Sequence, residues 1–123
     1  KDTADLMRKL LSAVSYCHSK NIVHRDIVPQ NILLATKDHD AAPKLIDFGL
    51  SSIVKDSTNS ITSQVTSFYY SSPEIFTGHY GAKCDVWAVG IICYQLLTGD
   101  LPFNGATDYD VKKNILNQPL NLD

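Results

Sequence analysis

The sequence has no cluster of basic residues, no long unbroken hydrophobic run, few cysteines and no glycine-rich phosphate loop. Each absence removes a class of function. Eleven Lys and Arg stand against thirteen Asp and Glu, for a formal net charge of -2. Neutralising a nucleic-acid backbone or an anionic lipid surface needs a basic run, so neither is an expected partner. The longest apolar stretch, Val86 to Leu97, is interrupted by Gly90 and Gln95. It falls short of the ~20 residues that span a bilayer, so no membrane segment is expected, and no signal peptide. Cys17, Cys84 and Cys93 are odd in number, far apart and set in apolar patterns. They read as buried free thiols in a reducing, intracellular and cytoplasmic setting. His18, His39 and His79 have no cysteine or histidine at metal-ligand spacing and read as ordinary surface or core histidines. None of the six glycines lies in a GxGxxG pattern, so the backbone cradle that such a loop offers to phosphates is not part of this stretch.

What is present points to a packed globular domain, or part of one. A hydrophobic fraction of 44% with 20% charged residues excludes intrinsic disorder. Leu6, Leu10, Val14 and Cys17 recur with the period of an amphipathic helix, which should end near Lys20 and Asn21. "NILLAT" at 31–36 and "KLIDF" at 44–48, separated by the turn-rich "KDHDAAP", predict a small β-hairpin. Residues 57–67 hold seven Ser or Thr and predict a loop. "CDVWAVGIICYQLL" at 84–97 is apolar on nearly every face and predicts a central helix inside the molecule, with Trp87, Ile91 and Ile92 in its packing. After "GDLPFNG", Thr107 stands three residues before Asp110 and predicts the capped start of a surface helix that buries Val111 and Ile115.

The polar residues with chemical potential lie around the hairpin. "HRDIVPQN" supplies His24, Arg25, Asp26 and Asn31 before it, and its second strand runs into Asp47, Phe48 and Gly49. A carboxylate able to accept a proton, with an Asn oxygen and a second carboxylate able to hold a hard cation, is what magnesium-assisted phosphoryl transfer requires. In order along the chain, "HRDIVPQN", "DFG" at 47–49 and "SPE" at 72–74 resemble the catalytic loop, magnesium loop and APE motif of the protein kinase family. "HSKNIVHRD", "YYSSPEIF", "GAKCDVWAVGIICYQLLTGDLPFNG" and "DYDVKKNIL" are similar to the calcium-dependent kinases within the calmodulin-kinase group.

The resemblance covers virtually the whole chain and implies that residues 1–123 are a partial protein kinase domain. The implied fold is mainly α with a small β-hairpin, a part of the large, C-terminal lobe of the kinase-like α+β fold. It implies a serine/threonine kinase whose parent protein uses ATP and Mg2+ on protein substrates. The small lobe, the end of the large lobe and any regulatory domain would lie elsewhere in that parent. Carried over by position, Asp26 matches the catalytic base and Asn31 and Asp47 match the magnesium ligands. Leu33 matches the floor under adenine, and Arg25 the arginine that meets a phosphate on the activation loop. Ser67 matches the residue that bonds the catalytic aspartate, while Leu50 after DFG resembles a serine-preferring pattern. His24 and Phe48 match two members of a regulatory hydrophobic stack, and Gly49 completes the magnesium loop. Asp85 matches a structural aspartate that holds the catalytic-loop backbone. Tyr69 and Tyr70 are expected to shape the substrate groove. Glu74 matches the glutamate of APE, whose arginine partner would lie beyond Asp123. A buried pair broken on one side typically costs ~3–5 kcal/mol, so the isolated chain is expected to be poorly stable.

This sequence also departs from the family pattern. Val28 replaces a lysine that brings positive charge to the transferring phosphate, which should slow the reaction. Gln30 replaces a glutamate that attracts basic substrates in many members, and Thr66 replaces a glycine. Two readings follow, a slow kinase that is inactive as an isolated fragment and a pseudokinase that serves as a nucleotide- or protein-binding regulatory module. A third, smaller one is a domain that borrowed only the fold.

Overall fold

The computed structural model describes residues 2–54 and 68–122. Helix α1 runs over Asp2–Ser19. Asp2 and Asp5 in its first turn face the positive end of the helix dipole, and Asp5 pairs with Arg8 and Lys9 one turn on. The helix stops where Asn21 turns left-handed at φ 60, a conformation that asparagine tolerates. Its inward side carries Met7, Leu10 and Val14, with Leu6 packed beside them. Ala88, Val89 and Ile92 of α2, the Lys83–Thr98 helix, meet this side together with Ile27 from the connecting loop. The two helices thus enclose the main core, where each fully buried aliphatic side chain contributes ~1.5–3 kcal/mol.

Among the described residues there are four short strands, of which the first and the third pack against α1. β2 (Ile32–Leu34) and β3 (Pro43–Leu45) form the expected antiparallel hairpin, with Ile32 opposite Leu45 and Leu34 opposite Pro43. It is shorter than the apolar runs suggest, because Ala35 and Ala42 already belong to the turn region despite their backbone bond of 2.9 Å. β1 (Ile22–Val23) and β4 (Ser52–Ile53) form a second antiparallel pair. Two-residue strands carry no readable alternation, so this ladder was not predictable from the residue pattern.

Helix α3 (Asp108–Asn117) starts as expected. The Thr107 hydroxyl accepts from the Asp110 backbone N–H at 3.2 Å and donates to the Asp110 carboxylate at 3.0 Å. Val111 and Ile115 are buried against Ile91 and Phe103, and Trp87 stacks on Phe103 with ring centroids 6.0 Å apart. The expectation that α2 is enclosed on nearly every face needs correction. Its buried residues are Cys84, Asp85, Ala88, Val89, Ile91 and Ile92, while Leu97 is 68% exposed. Trp87, Tyr94 and Leu97 line an apolar groove of about 530 Å3, opposite Leu120 and Leu122. All three cysteines are free thiols; Cys84 is buried and Cys17 and Cys93 are half-buried. No helix among the described residues is long and apolar enough to cross a membrane. The Ser/Thr-rich 57–67 segment, with Thr66 and Ser67, lies outside the described residues.

Candidate active site

The site is assembled around a carboxylate. Asp85, 1% exposed in the first turn of α2, accepts from the backbone N–H of His24 and of Arg25, both at 2.9 Å. The His18 Nε2 of α1 donates to the same group at 2.8 Å. Three segments therefore meet on one buried charge that donors satisfy on both oxygens, as burial of a carboxylate demands. The two backbone bonds fix the loop that follows β1.

His24 is also buried, and its ring has a defined hydrogen pattern. Nδ1 accepts from the Asp26 backbone N–H at 3.1 Å, so the ring proton sits on Nε2 and is donated to the Ile46 carbonyl at 2.9 Å. That bond ties the 24–31 loop to the end of the hairpin. The His24 and Phe48 rings touch with centroids 4.5 Å apart. Pro29–Asn31 form a 3-10 turn for which proline at the first position is well suited. This turn points the Asn31 amide nitrogen back at Asp26, where it donates to the backbone oxygen at 2.9 Å and to the carboxylate Oδ2 at 3.0 Å.

The hairpin brings Asp47 to the same place. The Ile46 N–H donates to the Asn31 carbonyl at 2.9 Å, so Asp47 follows directly on the residue opposite Asn31. Asp47 is left-handed at φ 59, and its Oδ1 accepts from the Gly49 N–H at 3.2 Å. A Cβ at Gly49 would lie 3.1 Å from that oxygen, a tight approach that favours glycine. Because the Asn31 nitrogen is turned to Asp26, its amide oxygen is left as a hard donor that makes neither of these two bonds. Among the described residues no three His, Cys, Asp or Glu gather into a group able to hold a metal. The Asn31 amide oxygen and the Asp47 carboxylate are hard oxygen donors of the type that small divalent cations take.

Arg25 lies between these parts with φ 73, a strained value for a residue with a side chain. Its Nε donates to the Tyr80 hydroxyl at 2.8 Å, and Nη1 donates to the Leu50 carbonyl at 3.0 Å and the Ser52 hydroxyl at 3.1 Å. Burial pushes the Tyr80 hydroxyl above its ordinary pKa, and the Arg25 charge opposes that shift. Burial, with the nearby Asp85 charge, also pushes the Cys84 thiol above its ordinary pKa. Val28 is half-buried and extended, and with Asp26, Tyr70 and Ser71 it lines a cavity of about 20 Å3.

A family model described as "Protein kinase domain" matches residues 1–122. The chain belongs to the protein kinase family. Within it, the kinase domain is similar to "Calcium-dependent protein kinase 4" of Plasmodium falciparum, with 43% identity over 115 residues, 93% of this chain and 22% of the relative. "Calcium-dependent protein kinase 5" of Plasmodium berghei is 43% identical over 114 residues, 93% of this chain and 20% of the relative. "Calcium/calmodulin-dependent serine/threonine-protein kinase 1" of Oryza sativa subsp. japonica is 40% identical over 116 residues, 94% of this chain and 19% of the relative. The chain thus spans about a fifth of the length of the curated relatives it matches.

The remaining residues singled out from the kinase motifs are placed less centrally. Leu33 is on β2 and 52% exposed, so an apolar side chain is presented outward from the hairpin. Glu74 is half-buried in the 3-10 turn Pro73–Thr77, and among the described residues it makes no ion pair. Tyr70 is fixed by its hydroxyl, which donates to Gln95 at 2.9 Å. Two participants escaped the sequence reading. His18 was read as an ordinary histidine and Tyr80 was not singled out. Their partners lie 67 and 55 residues away, and although His18 opens the "HSKNIVHRD" stretch, nothing local to either residue announces the pairing.

Proposed function

We propose that residues 1–123 form the catalytic part of a serine/threonine protein kinase domain, whose parent protein transfers the γ-phosphate of ATP to Ser or Thr hydroxyls of proteins. The observation that carries this reading is the Asn31 amide bonded to both the backbone and the carboxylate of Asp26, with Asp47 following Ile46, whose N–H donates to the Asn31 carbonyl. In this reading Asp26 is the base. Its carboxylate orients the acceptor hydroxyl and takes its proton while the hydroxyl oxygen bonds to the γ-phosphorus. The bond from that phosphorus to the β–γ bridging oxygen breaks, and ADP leaves with the electron pair. Asn31 holds Asp26 in place through its nitrogen and offers its oxygen, with the Asp47 carboxylate, as ligands for Mg2+. When bound, that ion would offset negative charge on the phosphate oxygens. Leu33 supplies an apolar surface for adenine, and Arg25 and Ser67 belong to the activation and substrate side. Phosphates would need a cover from chain outside these 123 residues, which contain no GxGxxG. By the names of its relatives, regulation of the parent by calcium belongs to the same proposal.

The parent protein is expected to phosphorylate a Ser/Thr peptide pool with Mg-ATP, and Asp26→Asn should abolish this. Transfer no faster than in Asp26→Asn would overturn the reading. A second reading, a pseudokinase module, is favoured by Val28, an uncharged side chain close to Asp26. Val28→Lys separates the two. A slow kinase limited by the missing charge should gain roughly 10²-fold in kcat, whereas a binding module should gain nothing.

A further inference from the structure

We propose that Tyr80 is a positioning residue, which acts through Arg25 to hold the 24–26 and 47–52 segments in register; this rests on the phosphoryl-transfer reading above. Tyr80 is 4% exposed in the stretch leading into α2, and its ring packs with Val23 and Cys84. Its hydroxyl meets Arg25 Nε at 2.8 Å, and the guanidinium carbon lies 5.6 Å from the ring centroid. The same planar group reaches the other way through Nη1 to Leu50 and Ser52, just beyond the Asp47 turn. A guanidinium can satisfy both directions at once because its donors diverge in a rigid fork; an ammonium has no such geometry.

The backbone of Arg25 is held from the same side, since its N–H donates to Asp85 at 2.9 Å. The beginning of α2 therefore grips this residue at both ends. That grip matters because φ 73 at Arg25 is a strained conformation, which persists only where its surroundings impose it. Asp26 is the next residue, so relaxation at Arg25 would swing the proposed base. Leu50 and Ser52 would be released together, loosening the chain that carries Asp47. The Tyr80 hydroxyl is in this way coupled to the distance between the proposed base and the proposed cation ligand, although it touches neither.

Tyr80→Phe in the parent protein keeps the ring in its core and removes only the hydroxyl. The expected result is a fall in kcat of roughly tenfold or more with KM for ATP little changed. Amide exchange should quicken in 24–26 and 47–52 while the middle of α2 stays protected. Arg25→Lys should have a similar effect, and the double variant should be no slower than Arg25→Lys alone, because both remove one connection. Unchanged exchange in the two segments overturns the proposal, and so does faster exchange spread evenly through α2, which marks a merely structural residue. Unchanged kcat with an active parent also overturns it. If the unaltered parent transfers no phosphate, the functional reading falls alone, and the exchange pattern still decides whether Tyr80 positions these segments.

Discussion

Ser72 is fully buried, yet its hydroxyl has no hydrogen-bond partner among the described residues. An unsatisfied buried polar group costs roughly 1–3 kcal/mol. Ser72→Ala is therefore expected to leave the fold as stable or to stabilise it, and the denaturation midpoint of the parent kinase domain checks this; a clear fall would show that the hydroxyl is used. Asp85 is the opposite case, a buried charge whose three N–H donors come from His18, His24 and Arg25. The Asp26–Asn31 contact was legible in the sequence because the two residues lie five apart in one short motif. His18 and Tyr80 were not, because hydrogen bonding across the fold leaves no local trace.

Elements with strong local signals were read correctly. The α3 start combines an N-cap side chain, an acidic first turn and an apolar pair one turn apart, all contained within ten residues of chain. Gly105, just before it, lies against the first turn: a Cβ there would come 2.6 Å from the Asp110 Cβ and 2.7 Å from the Val111 backbone nitrogen. Gly90 lies in the middle of α2 with nothing within 4 Å of its would-be Cβ. The two substitutions should act in opposite directions. Gly105→Ala is expected to destabilise by ~1–3 kcal/mol through overpacking, whereas Gly90→Ala should stabilise by ~0.5–1 kcal/mol through lower backbone entropy in the unfolded chain. Denaturant titration of both variants measures the difference. The β1–β4 ladder was invisible because two residues per strand cannot show a period, and its pairing depends on where the 24–49 stretch folds back.

Across the whole molecule, buried ionisable groups set the response to alkali. Cys84, Tyr70 and Tyr80 all have raised pKa values, with burial as the first cause. Above about pH 9 for the thiol and pH 10 for the phenols, the unfolded chain loses protons that the folded chain keeps. The folded state then binds more protons, so the stability these groups contribute is fully present below that range and declines as pH rises. The denaturation midpoint of Cys84→Ala should fall less steeply between about pH 9 and 11 than that of the unaltered protein. Equal slopes would remove Cys84 from this account.

The family, the chemical type of the loop residues and the helices α1, α2 and α3 were legible in the residues alone, because motif spacing and helical period are local properties of the chain. Only the tertiary structure decided which distant side chains complete the site. His18 joins Asp85 and Tyr80 joins Arg25 because α1, the loop after β1 and the beginning of α2 converge on one buried carboxylate. It also decided that α2 leaves one flank open as an apolar groove, since burial depends on what packs against a helix and not on the composition of the helix alone.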